Sequence, residues 1–125
     1  MKIDISDGEL LDKVTILQIK SEKITDDNKL KNVLTELNHL LPYKNDIVAK
    51  YNINDLYISL LEINEKLWKI EDDIRDKERN KIFDQEFVEL ARSVYLTNDE
   101  RSRIKKLINQ KTKSTFVEEK SYEEY

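Results

Sequence analysis

Four cations on predicted helices have the residue types and spacing to build a binding site for a small anion. Lys13 and Lys20 lie two helical turns apart, inside the apolar arc of the first predicted helix. Arg75 and Arg92 lie on two later predicted helices. Such cations, when they converge beside an apolar wall, can hold a phosphate, a sugar nucleotide or a dicarboxylate. The ordinary interpretation of the two lysines is that their stems cover the core edge while their ammonium groups stay in water.

Trp68 and Tyr95 are the aromatic side chains that could wall this site. Trp68 shares a stripe of the third predicted helix with Asn64, Glu71 and Arg75, and the last two can pair at i, i+4 spacing. The alternative is that Trp68 is a core-edge aromatic beside an ordinary surface ion pair. The candidate ligand-binding residues are Lys13, Lys20, Asn64, Trp68, Glu71, Arg75, Arg92 and Tyr95.

Composition limits the chemistry. The 125 residues include no Cys, one Gly and one His, which excludes thiol chemistry, a thiolate zinc site and a glycine-rich phosphate loop. His39 has no serine nucleophile pattern beside it. Glu62, Glu65, Glu71 and Asp72 offer carboxylates for a magnesium-dependent nucleotide hydrolase, but the first two project away from Glu71. We therefore expect no metal and no cofactor.

Charge and hydropathy indicate a cytoplasmic protein that binds neither nucleic acid nor membrane. The net charge is −4 and the isoelectric point is near 5.2, with both signs interspersed. The densest basic stretch, residues 101–113, is typical of a solvated helix face rather than a nucleic-acid site. No apolar run approaches the roughly 20 residues of a membrane span, and residues 1–7 lack signal-peptide features.

Hydrophobic periodicity predicts one all-α domain over residues 1–113 and a tail over 114–125 that could dock in part on the body. A capping box at Ser6 begins the first helix, and the second should end near Pro42. Their hairpin, residues 6–41, should pack on a long central helix over about 55–79.

Two further capping signals follow the central helix. Asp84 is the expected N-cap of the fourth helix, with Phe83 placed to contact Val88 as a hydrophobic staple. Thr97 and Glu100 supply a second capping box, which predicts a short kink and a fifth helix. The expected fold therefore has four to five helices and no sheet.

Four segments, taken in order, resemble a family of short all-helical bacterial and phage proteins catalogued only as a domain of unknown function. They are GELLDKVTIL at 8–17, LWKIEDDIR at 67–75, FVELARSVY at 87–95 followed by Asn98-Asp99, and VEEKSY at 117–122. The resemblance implies an all-helical fold and does not indicate which activity the chain has. A much weaker likeness to helical chorismate mutases is limited to residues 9–20. The arginine expected late in that helix is missing.

Three functions stay open. The first is a non-enzymatic helical interaction or adaptor module, favoured by the charge-rich composition and by a regular apolar seam from Leu56 to Ile74. The alternative is a binder of, or an enzyme acting on, a small anionic molecule in a mutase-like pocket, which needs only positioning and electrostatics. The third is the magnesium-dependent hydrolase. We expect a protein partner or a homodimer, because part of the seam can be buried against a second copy.

Overall fold

The computed structural model describes residues 1–114 of the chain. This part contains four α-helices and no strand: α1 (Asp7–Lys23), α2 (Asp27–Tyr51), α3 (Asn54–Arg79) and α4 (Gln85–Thr112). The all-α prediction is therefore confirmed. None of these four helices has an apolar stretch able to cross a bilayer. The predicted tail, apart from its first residue Ser114, lies outside the described residues.

Helices α1 and α2 form an antiparallel hairpin. The Ser6 hydroxyl accepts a hydrogen bond from the Glu9 N–H at 3.1 Å, so the predicted N-cap is present. Asp26 caps α2 in the same way, through the Lys29 N–H at 2.9 Å. Ion pairing between Lys13 and Glu36 joins the two helices at 3.5 Å.

The predicted end of the second helix near Pro42 is wrong. Helix α2 continues through Pro42 to Tyr51, and Asn52 ends it in the left-handed conformation at φ 52°. Proline removes one helical hydrogen bond, but Ile47 and Val48 beyond it pack against the core. Their burial holds the later turns in the helix, so the chain from Pro42 to Tyr51 is helical as well.

The predicted kink between a fourth and a fifth helix is also wrong. Helix α4 runs unbroken from Gln85 to Thr112. Thr97 lies in its middle and is buried, whereas an N-cap residue needs extended backbone at a helix start. A capping pattern within a helix is overridden here because the surrounding turns pack against the rest of the domain.

The core lies where α1 packs against the other three helices and where α4 packs along α3. Its buried apolar side chains are Leu11, Val14, Leu17, Leu37, Ile53, Tyr57, Leu60 and Ile108. On α3 the buried residues include members of the apolar seam and of the stripe that contains Trp68. Leu60 and Ile70 of the seam are buried, and so is Asn64 of the stripe; Tyr57 is buried as well.

Candidate functional site

Polar side chains, most of them buried, meet where α1 packs against α3 and α4. We call this cluster the polar junction. Its members come from all three helices and are Glu9, Asp12, Thr15, Asn64, Arg101, Lys105 and Asn109.

Asp12 is the centre of the polar junction, and only 1% of its surface is exposed. Its Oδ1 accepts hydrogen bonds from Arg101 Nε at 2.8 Å and from Asn64 Nδ2 at 2.9 Å. A second guanidinium nitrogen of Arg101 pairs with Oδ2, and Lys105 Nζ lies 3.8 Å from the same oxygen. Two cations of α4 therefore compensate one buried carboxylate of α1, as a buried charge requires.

The first turn of α1 docks directly on the last turns of α4. The Gly8 N–H donates to Asn109 Oδ1 at 2.7 Å, and Lys105 Nζ donates to Glu9 Oε2 at 2.8 Å. The Asp7 N–H donates to the Ser114 hydroxyl at 3.1 Å. Asn109 of α4 and Ser114, two residues beyond its end, thus satisfy N–H groups that have no partner within α1.

Glycine is required at position 8 by this close approach. A Cβ there would lie 2.7 Å from the Lys105 carbonyl oxygen and 2.9 Å from Asn109 Oδ1. The Thr15 hydroxyl, two turns later, donates to the Asp12 carbonyl and accepts from Asn64 at 2.7 Å. The polar residues of the 8–17 segment therefore fix the position of α1 on α3 and α4.

Sequence reasoning missed Arg101 and Lys105, because residues 101–113 look like a solvated helix face. The spacing of these two residues is the only sequence feature that indicates their role. Arg101 and Lys105 stand one turn apart on α4, and Glu9 and Asp12 stand one turn apart on α1. Two facing helices with such opposite charges can dock through them.

A second feature is a cavity of about 380 Å³ between the last turn of α1 and the middle of α3, with Trp68 in its wall. Its charged lining is mostly acidic. The carboxylates are those of Glu22, Glu65, Asp72 and Asp73, and the ammonium groups are those of Lys23 and Lys69. This lining repels an anion.

The third feature is the turn between α3 and α4, where apolar side chains face solvent. We call Ile82, Phe83, Phe87 and Val88 the hairpin tip. Phe83 is 57% exposed, Val88 45% and Ile82 43%. Phe83 makes an edge-to-face contact with Phe87, and the two ring centroids lie 5.2 Å apart. The Phe83–Val88 staple stays a prediction.

Capping and ion pairs support the hairpin tip. Asp84 is the N-cap of α4, as predicted, and its Oδ1 accepts from the Phe87 N–H at 2.9 Å. Lys77 Nζ lies 3.0 Å from Asp84 Oδ2 and 3.2 Å from Glu86 Oε2. The Ile82 N–H donates to the Lys77 carbonyl at 2.9 Å. The turn is therefore tied to both helices.

These contacts shift two pKa values in opposite directions. Hydrogen bonds from the Phe87 N–H and then from Lys77 lower the pKa of Asp84. The hydrogen bond to Asp84, with a further contribution from Glu86, raises the pKa of Lys77. Both groups are thus held in their charged forms at neutral pH.

One protein-family model matches the whole chain, residues 1–125. The chain belongs to DUF6165, a family of unknown function. Membership in DUF6165 confirms the resemblance of the chain to an uncharacterised family. Neither the curated proteins nor the solved structures contain a significant match.

Within this DUF6165 fold, two of the predicted ligand-binding cations pair with carboxylates on different helices. Lys13 lies on the α1–α2 surface beside Glu36, and Lys20 is partly buried on α1. Arg92 is exposed on α4. Arg75 pairs with Glu71 along α3 at 3.4 Å on the exposed surface, as its spacing indicates.

The other predicted ligand-binding residues do not lie in one place either. Asn64 belongs to the polar junction, Trp68 lines the acidic cavity, and Tyr95 is 41% exposed on α4. The eight candidates therefore occupy at least three places: the polar junction, the cavity and the α1–α2 surface. Among residues 1–114, no group of three or more His, Asp or Glu side chains is arranged to hold a metal ion.

Proposed function

We propose that the chain is a non-enzymatic helical interaction module and that the hairpin tip is its contact surface. The observation that carries the proposal is the exposure of Phe83, Val88 and Ile82 on a turn that is capped and ion-paired. Exposed apolar patches mark interaction sites, and aromatic residues are enriched in protein interfaces. A supported turn also limits the conformational entropy lost on binding.

The proposed partner is a second copy of this chain. Exposed charges of both signs flank the apolar residues, with Lys81 before them and Glu89 after them. In a two-fold pair the same patch meets itself. A cation of one copy can then meet an acid of the other while the apolar residues pack at the centre.

The alternative, a small anionic ligand, has less support. It needs Lys13, Lys20 and Arg92 at one cleft, but Lys13 lies beside Glu36 on the α1–α2 surface. The cavity that contains Trp68 has an acidic lining. An interaction surface at the hairpin tip does not depend on converging cations or on the charge of this cavity.

The test is the mass in solution from micromolar to millimolar protein concentration, measured by light scattering. The wild-type mass should rise from 15.0 kDa, the mass of one chain, toward that of two chains. Phe83→Ser should stay at the mass of one chain, because the substitution removes the most exposed aromatic side chain of the tip.

Ile58→Ser is the matched control, since Ile58 is a similarly exposed apolar residue near the other end of α3. It should associate like the wild type. Circular dichroism should show that both variants keep their helices. A wild-type mass of 15.0 kDa at every concentration would contradict the proposal. Equal weakening by the two substitutions would also contradict it.

A further inference from the structure

The cavity between α1 and α3 combines an aromatic wall with negative charge. Trp68 contributes the wall, and the cavity has a volume of about 380 Å³. Small-molecule sites are usually clefts of about 300–1,000 Å³ that use aromatic surface and a few polar groups. The cavity is therefore large enough for a small ligand or for one side chain of a partner.

The charged lining favours a cation. Lys69 Nζ lies 3.2 Å from Asp73 Oδ2, so these two charges largely compensate each other. Glu22, Glu65 and Asp72 then stand against Lys23 alone. Within residues 1–114, these three carboxylates form no ion pair and no side-chain hydrogen bond. Their negative charge is left to solvent or to a ligand.

The end of α1 adds to this field. Glu22 and Lys23 belong to its last turn, where the final backbone carbonyls have no partner within the helix. The helix dipole places partial negative charge at this end. The backbone at this helix end and the carboxylate side chains thus both favour a positively charged ligand.

We propose that this cavity binds an alkylammonium group. The indole face of Trp68 attracts a cation through its quadrupole, and Glu65 and Asp72, from the same helix, supply carboxylates for the N–H donors. Aromatic surface beside carboxylates fits an organic cation better than a bare metal ion, which needs converging oxygen ligands. The group is the amine of a small polyamine or the side chain of a lysine in a partner protein.

Fluorescence can test the proposal directly, because Trp68 is the only tryptophan in the chain. The full chain is titrated with spermidine, with Nα-acetyl-lysine amide and with sodium chloride at matched ionic strength. Both amines should change the emission saturably, and the salt should not. Tighter binding of spermidine assigns the site to a free polyamine. Equal or tighter binding of the lysine derivative assigns it to a protein side chain.

Charge-neutral variants identify the site. Glu65→Gln and Asp72→Asn should each weaken spermidine binding about twofold to fivefold, the range of an exposed ion pair. Glu62→Gln is the matched control, since Glu62 is exposed on the same helix outside the cavity lining. Phe83→Ser should bind spermidine like the wild type, which separates this site from the hairpin tip.

Two results would overturn the proposal. The first is an amine titration indistinguishable from the salt titration. The second is equal weakening by Glu65→Gln and Glu62→Gln, which would indicate general charge screening rather than a site. Calorimetry with Trp68→Leu gives an independent measurement, because this variant keeps the carboxylates and removes the aromatic face. Spermidine should bind it about twofold to fivefold more weakly, and unchanged binding would contradict the role of the indole.

Discussion

The polar junction and the hairpin tip depart in opposite ways from the usual burial of apolar residues and exposure of polar ones. The junction buries Asp12 and Lys105, whereas the tip exposes Phe83 and Val88. Buried polar groups and exposed apolar patches are the informative exceptions in a folded domain. At the junction the exception fixes the arrangement of helices, and at the tip it leaves apolar surface in solvent, where we propose that a second copy binds.

This contrast changes how the motif near the start of the chain is interpreted. Glu9 and Asp12 lie in the 8–17 segment that resembles the family, and their carboxylates bind side chains of α4. Polar residues in a recognisable segment are therefore not evidence of a binding site by themselves. In this chain they specify where α1 docks, a role attested for buried polar groups in some proteins.

The largest expected effect is that of Asp12→Ala on stability. The substitution removes the carboxylate that Arg101 and Lys105 share, and it leaves Asn64 with one fewer acceptor. Breaking a buried pair in this way costs about 3–5 kcal/mol. Urea unfolding followed by circular dichroism measures it.

Glu36→Gln is the control for Asp12→Ala, because it breaks the half-exposed pair with Lys13. Its expected cost is below about 1 kcal/mol. Phe83→Ser should also change stability little, because its ring is largely exposed. Equal costs for Asp12→Ala and Glu36→Gln would remove the distinction between the junction and an ordinary surface ion pair.

Gly8→Ala should have the next largest effect, and its sign is the informative part. Alanine in place of glycine inside a helix ordinarily stabilises by about 0.5–1 kcal/mol. At Gly8 the new Cβ would meet the Lys105 carbonyl at 2.7 Å, and overpacking of this kind costs about 1–3 kcal/mol. Thermal unfolding should therefore show destabilisation. A stabilised variant would show that α1 and α4 separate easily.

The fold class and the helix starts could be predicted because they depend on local sequence. Ser6 and Asp84 cap the helices that they are expected to cap. Pro42 and Thr97 mislead because each carries a local boundary signal within a helix held by tertiary packing. Local propensity is a weak prior when apolar residues on both sides of the signal are buried.

The sites could be predicted only in part, because their contacts join distant residues. Asp12 and Arg101 are 89 positions apart in the sequence, and no local pattern shows that they meet. Trp68 could be selected from its type and from the stripe it occupies. The contribution of Glu22 and Lys23 to its cavity could not be predicted, because these two residues reach the cavity from another helix.

The smallest expected effect concerns pH and the support of the hairpin tip. The pKa of Asp84 lies below its ordinary value of 3.8, because the Phe87 N–H and Lys77 stabilise the carboxylate. The unfolded chain therefore takes up this proton first on acidification. The stabilisation is complete above about pH 3.8 and is lost as the pH falls through the lower folded pKa.

Asp84→Asn separates charge from capping, since asparagine caps helices about as well as aspartate. The melting temperature of the wild type should exceed that of Asp84→Asn at pH 7, and the difference should disappear in acid. The melting temperature of Asp84→Ala at pH 7 should be lower still, because this substitution also removes the acceptor for the Phe87 N–H. High salt should reduce the difference in melting temperature between the wild type and Asp84→Asn, because salt screens exposed charges. A difference that stays constant from neutral to acidic pH would show that Lys77 does not stabilise the tip through the charge of Asp84.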